Sequence, residues 1–303
     1  MDRGFLSRRR GARRKGLQHR ERYHRGSKGW WPGHSGARAV VGASVLVVGM
    51  GLAMSPSPAH PAPSGPSLSG PPLPDGRVFL PPPPAAETAG SAADASIFAD
   101  TRVQEGSGRW KLAQRDARHG VGHMLSAFSC AAGFTLSPAH LPRLEALLTR
   151  MEARVEPVLA LEKAQWNRPR PYSAMELPLC VAERGEVAHT PSYPSDYATL
   201  GWMTGAVLSD LLPTRTAQIM RRARIYGESR VICGVHWHSD VTAGWMNGAV
   251  LYTAMRQEAD FAQGLDAART EIEALRDHPP AHLPPPDPGE CAQEDDAAAH
   301  SPQ

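Results

Sequence analysis

The 303-residue sequence lacks several features that would each have pointed to a class of protein. It has four cysteines, Cys130, Cys180, Cys233 and Cys291, and no Cys-x-x-Cys pair. A structural zinc site built on paired thiolates is thereby excluded. The apolar run at residues 39–54 holds 16 residues, short of the ~20 that a spanning helix needs. Net charge is also small, with 33 Lys+Arg against 30 Asp+Glu. The basic excess sits in residues 1–38, which carry 12 basic and two acidic side chains and leave 21 basic and 28 acidic for the remainder. An acidic body behind a basic leader excludes a nucleic-acid partner. No internal repeat and no convincing alternating strand pattern are present.

The leader has an order of its own. A basic stretch, the apolar run 39–54 and small residues ending in Ser57-Pro58-Ala59 follow the plan of a secretory signal peptide. Its long basic region leaves an uncleaved anchor as the alternative. The reading places the protein in the periplasm or outside the cell, with a mature start near His60. Twelve prolines fall within positions 56–84, so residues 60–76 read as a semi-extended linker. Residues 278–303, Pro-rich and acidic, read as a disordered tail. One domain, 77–277, lies between. In an exported chain the cysteines can be oxidised. One disulfide is expected, with Cys291 of the tail unassigned, since four cysteines allow three pairings.

The domain reads as helical. Leu144, Leu147, Leu148, Met151 and Val155 recur at spacings of three and four, which predicts an amphipathic helix across 141–165. The segments 199–212 and 240–255 are rich in Ala, Leu, Val, Met and Trp, and their internal glycines suit close helix contacts. An all-α bundle is the expected fold.

Convergent polar residues collect in three segments. Lys163 and Arg170 stand seven apart, about two helical turns, ahead of Pro171, and both cations suit a tetrahedral oxyanion. Ser192-Tyr193-Pro194-Ser195-Asp196-Tyr197 leads into an apolar helix, with Ser195 as a natural N-cap whose following N–H groups can bind an anion. Ser229-Arg230 precedes His236 and Asp240, four apart, and a carboxylate beside an imidazole fixes its tautomer. His236-x-His238-x-Asp240 also resembles a metallo-hydrolase run. Val241 stands where a further histidine belongs, and no other ligand set completes a site, so no metal and no cofactor is expected.

Together the segments resemble the type 2 phosphatidic acid phosphatase superfamily, whose pattern is Lys-x6-Arg-Pro, Pro-Ser-Gly-His and Ser-Arg-x5-His-x3-Asp. Phe79-Leu-Pro-Pro-Pro-Pro84, Ser192-Tyr-Pro-Ser195, Gly201-Trp202 and Gly227-Glu-Ser-Arg-Val-Ile-Cys-Gly234 with His236-Trp237 are similar to the bacterial class A non-specific acid phosphatases, over about 77–265. The resemblance implies a helical bundle of the phosphatidic acid phosphatase and vanadium haloperoxidase kind. It implies a metal-independent hydrolase of small phosphomonoesters, for which a homo-oligomer is compatible. His236 is then the nucleophile, forming a phosphohistidine, and Asp240 orients it. Lys163, Arg170, Arg230, Ser195 and the Asp196 N–H bind phosphate.

The middle motif departs from the family. Asp196-Tyr197 replaces Gly-His, and the missing histidine is the family's general acid. Tyr197 can donate a proton, although its ordinary pKa of about 10 makes it a weaker acid than imidazolium. His189 and His238 are further candidates, whereas His119 and His123, four apart, read as a helix face. Two alternatives remain: a weakened phosphate- or nucleotide-binding relative, and a vanadium-dependent haloperoxidase. The body also lacks the several long apolar spans of the membrane lipid phosphatases.

Overall fold

The computed structural model describes residues 68–173, 177–181 and 190–300. The signal-peptide reading, the start near His60 and His189 fall outside those residues. Within them all regular structure is helical, as the spacing of apolar residues predicts. The helices are α1 (Gly76–Phe79), α2 (Ala89–Arg102), α3 (Gly108–Asp116), α4 (Val121–Ala127), α5 (Ser129–Ala132), α6 (Pro142–Trp166), α7 (Asp196–Leu211), α8 (Thr216–Ile232), α9 (His238–Met255), α10 (Ala259–Asp277) and α11 (Pro288–Ala299).

Helix α6 opens with Pro142, whose missing N–H is no loss in a first turn. Leu144, Leu147, Leu148, Met151 and Val155 are all fully buried in the main core. The helix stops at Trp166, where Asn167 takes a left-handed conformation with φ 41° and its N–H caps the Lys163 carbonyl. Arg170 therefore lies beyond the helix, on the turn that Pro169 and Pro171 impose, and not two turns along it.

Helix α7 packs against both α8 and α9. Glycine makes the α7–α9 contact possible: a Cβ on Gly244 would lie 2.6 Å from the Ser195 carbonyl oxygen, and one on Gly248 2.6 Å from that of Thr199. The expected close helix contacts are present, and they bring the start of α7 against the start of α9.

Three expectations need correction. The second half of the predicted linker is packed: Leu68 joins the main core, and Arg154 donates to the carbonyls of Leu68 and Pro71 at 3.1 and 2.8 Å. The tail is not without structure between 288 and 299, because its acidic side chains find cations. Glu290 meets Arg115 at 3.3 Å, Glu294 meets buried Arg222 at 3.1 Å, and Asp295 pairs with Arg221. Cysteine pairing is complete, as Cys130–Cys291 and Cys180–Cys233, so Cys291 has a partner where only one disulfide was expected.

Candidate active site

The end of α6, the turn after it, the segment entering α7, the end of α8 and the start of α9 converge on one pocket. Its centre is His236, fully buried in the turn between α8 and α9. Gly234 shapes that turn with φ +77°, where a Cβ would also meet an Arg102 nitrogen at 2.6 Å. The His236 Nε2 lies 3.0 Å from Arg170 Nη1. A guanidinium only donates, so Nε2 must be the acceptor and the ring proton resides on Nδ1. Nδ1 faces Asp240 Oδ2 at 3.5 Å. Burial, followed by Arg170, Lys163 and Arg230, holds the imidazole pKa well below its ordinary value. The result is a neutral imidazole with a lone pair at Nε2.

Asp240 is fastened on both oxygens. Oδ1 accepts from Arg168 Nη1 at 2.6 Å, and Oδ2 from the Trp237 N–H at 2.8 Å. Burial pushes its carboxyl up to about 6, with Arg168 opposing the shift. Arg168 in turn reaches Asp94 Oδ2 on α2 at 2.8 Å, and Asp94 accepts from the Ser239 N–H at 2.9 Å. Neither Arg168, which falls between Lys163 and Arg170 in the first segment, nor Asp94 is among the residues singled out from the sequence. Its position two residues before Arg170 was the available signal for Arg168, and Asp94 carried none.

Three cations surround Nε2. Lys163 donates to the carbonyls of Pro191 and Pro194 at 3.0 and 3.1 Å, and burial lowers its pKa. Arg170 is buried and fixed by the carbonyls of Thr190 and Val235 at 2.9 and 2.8 Å. Arg230 is buried too, its guanidinium 3.8 Å from the centre of the Tyr197 ring. Its Nε and Nη1 have no hydrogen-bond partner among the described residues. A buried cation with unused donors is costly unless an anion completes it.

The middle segment supplies the fourth wall. Ser195 caps α7, its Oγ accepting from the Ala198 N–H at 3.3 Å, while its own N–H donates to the Asp240 carbonyl at 3.0 Å. Asp196 extends its carboxylate into the pocket, with Oδ1 3.7 Å from Lys163 Nζ and 3.7 Å from His236 Nε2. Burial works to raise its pKa, but Lys163, Arg170 and Arg230 prevail and hold it below the usual carboxylate range.

Tyr197 stands differently from what a proton donor in the pocket requires. Its ring lies against Arg230, but its hydroxyl bonds the Ala117 carbonyl at 3.3 Å and His119 Nδ1 at 2.7 Å. Burial raises the phenol to about 12. His119 and His123 share no helix face, because α4 begins at Val121. His238 sits in the first turn of α9 with Asp94 as its charged neighbour.

Among the described residues, no group of three or more His, Cys, Asp and Glu side chains is arranged to hold a metal ion. The arrangement can hold a tetrahedral oxyanion against a neutral nucleophilic nitrogen. Residues 146–261 match the family model of the PAP2 superfamily. The acid phosphatase of Zymomonas mobilis subsp. mobilis is 36% identical over 211 residues, covering 69% of this chain and 79% of that one. The non-specific acid phosphatase of Salmonella typhimurium is 31% identical over 216 residues, 68% of this chain and 85% of that protein. That of Providencia stuartii is 29% identical over 204 residues, 67% and 82% respectively. With the three motifs gathered around one buried histidine and relatives of this extent, the chain belongs to the PAP2 superfamily.

Proposed function

We propose that the protein is an exported acid phosphatase that hydrolyses small phosphomonoesters through a phosphohistidine, without a metal. The observation that carries this reading is the buried His236, whose Nε2 meets Arg170 Nη1 at 3.0 Å and has Lys163 and Arg230 as further cationic neighbours. Phosphoryl transfer needs little from a protein beyond positioning and charge stabilisation. The cations hold the non-bridging oxygens, and the unused donors of Arg230 are available to them. Nε2 attacks phosphorus in line, the ester oxygen leaves, and Asp240 supports the positive charge that forms on the ring. Water then attacks phosphorus and returns His236 to its neutral state. Two disulfides accord with an oxidising compartment.

One observation favours the alternative of a phosphate-binding relative with weak turnover. The Asp196 carboxylate occupies space among the cations that a phosphate would use. A single set of assays decides. Phosphate release from p-nitrophenyl phosphate at acid pH should persist in EDTA, yield to vanadate and vanish in His236→Ala. Acid quenching should trap phosphohistidine in the wild type alone. Activity lost on chelation and restored by zinc, or turnover undiminished in His236→Ala, would overturn the mechanism. Mass spectrometry of exported material should find a mature start near His60, and a full-length chain held in the membrane would support the anchor instead.

A further inference from the structure

The Tyr197 hydroxyl is bonded to the Ala117 carbonyl and to His119, which leaves the face of its ring as the part that meets the pocket. There the Arg230 guanidinium lies over the ring, 3.8 Å from its centre. We propose that Tyr197 is the positioning residue for Arg230, an aromatic platform that holds the guanidinium and leaves its N–H groups to bound phosphate. The inference rests on the reading of the pocket as a phosphate site, and it gives the altered middle motif a role other than proton donation.

The two helices that meet there account for the contact. On α7, Tyr197 and Gly201 stand four apart; on α8, so do Tyr226 and Arg230. Residues at that spacing share a helix face, and α7 packs along α8. A Cβ on Gly201 would lie 2.6 Å from the Tyr226 ring, so glycine there lets the helices close. The Tyr197 and Tyr226 rings run nearly parallel, at 18° and 6.2 Å between centroids. Hydroxyl contacts of 3.3 Å to Ala117 and 2.7 Å to His119 Nδ1 keep the Tyr197 ring from turning. Burial raises its phenol to about 12, so the ring stays neutral at acid and neutral pH.

Stacking suits Arg230 because of what it leaves unspent. The other two cations are fixed through their own N–H groups. Lys163 donates to Pro191 and Pro194, and Arg170 to Thr190, Val235 and His236. Those bonds hold the side chains in place, but they occupy donors that phosphate would otherwise take. A ring face attracts a guanidinium through its quadrupole. It takes none of the N–H groups, which lie in the guanidinium plane. Arg230 Nε and Nη1 have no hydrogen-bond partner among the described residues. Arg230 is thus both anchored and ready to donate to phosphate oxygens.

Binding of inorganic phosphate to the full chain, followed by titration calorimetry, tests the platform without relying on turnover. Tyr197→Leu keeps an apolar side chain and removes the ring. Its dissociation constant for phosphate should rise about 30-fold, the worth of a desolvated cation–π contact. Tyr197→Phe retains the ring face and should keep most of the affinity. In an Arg230→Ala background the further change Tyr197→Leu should cost little, because the ring then has no cation to hold. An unchanged constant in Tyr197→Leu, a loss in Tyr197→Phe as large as that in Tyr197→Leu, or an equal loss with and without Arg230 would overturn the assignment. None of these results touches the His236 nucleophile, which the phosphohistidine trap tests separately. A wild type that shows the expected pattern of binding but hydrolyses no ester would leave the platform standing and remove the phosphatase reading. A wild type that binds no phosphate removes both.

Discussion

Asp196 and His236 confront each other across the pocket, carboxylate Oδ1 to imidazole Nε2, at 3.7 Å. The separation is too long for a hydrogen bond and too short for a phosphorus atom to enter between them. A bound phosphomonoester must therefore displace the Asp196 side chain, which is 36% exposed and has solvent to move into.

Replacing that carboxylate should help the ligand. Asp196→Gly removes a charge that competes with phosphate for Lys163, Arg170 and Arg230. We expect the KM for phosphomonoesters and the inhibition constant of vanadate to fall about tenfold, a partly screened fraction of the Coulomb energy at this distance. Because those cations hold the Asp196 carboxyl below the usual range, acidification to pH 5 should not relieve the wild type. Steady-state kinetics at pH 5 and pH 7 check both points. An unchanged KM in the variant would remove the competition argument.

Arg168 should control the acid limb of activity. Burial raises the Asp240 carboxyl to about 6, with Arg168 as the leading opposing influence. In Arg168→Ala burial is opposed only by the Trp237 N–H, so Asp240 should hold its proton to higher pH. The acid limb of kcat should shift upward, with a loss of at least ~10-fold at pH 5. The native carboxyl titrates above its ordinary 3.8, so the folded state binds this proton more tightly than the unfolded one. Its contribution to stability thus declines as pH rises from about 4 to about 6. A pH–rate profile of the variant that matches the wild type in shape would argue against this role.

Gly244 should tolerate nothing larger. In Gly244→Ala the added methyl meets the Ser195 carbonyl, a backbone atom that cannot step aside without shifting α7. A cost of about 1–3 kcal/mol follows from such overpacking. Because the Ser195 N–H bonds Asp240, kcat should fall as well. Denaturant melts together with kinetics measure the two effects, and a fully stable, fully active variant would contradict the packing described.

The tail should matter to stability and little to chemistry. Cys291→Ala opens a bridge between residues 161 apart in sequence and loosens the helix that carries Glu294 to Arg222. Loss of about 2–5 kcal/mol is expected, seen as an earlier unfolding midpoint, while kcat at 25 °C stays within a few-fold. A collapse of kcat in folded variant protein would show that the tail reaches the pocket by a route not described.

The pocket was more legible in the sequence than its supports. Lys163, Arg170, Arg230, His236 and Asp240 could be picked out because each lies in a short motif that resembles the family's pattern. The helical core was legible too, since Leu144 through Val155 repeat with the helix. What escaped was the choice of distant partners. Asp94 grips Arg168 from 74 residues away, and His119 meets Tyr197 from 78 away. No local pattern links either residue to its partner. Composition misled for the tail, because Glu290, Glu294 and Asp295 look solvated until Arg115, Arg222 and Arg221 are placed beside them.

The Cys130–Cys291 bridge has one more result, in the covalent connectivity of the molecule. Lys163, Arg170, Arg230, His236 and Asp240 all fall between its two ends. Any single peptide bond cleaved between residues 130 and 291 therefore leaves two fragments still joined as one molecule. A cut between 180 and 233 leaves them joined twice, since the Cys180–Cys233 bridge also straddles it. A nicked enzyme would keep its nucleophile and its cations on one covalent body, and the nick would become visible in an electrophoresis gel only after reduction.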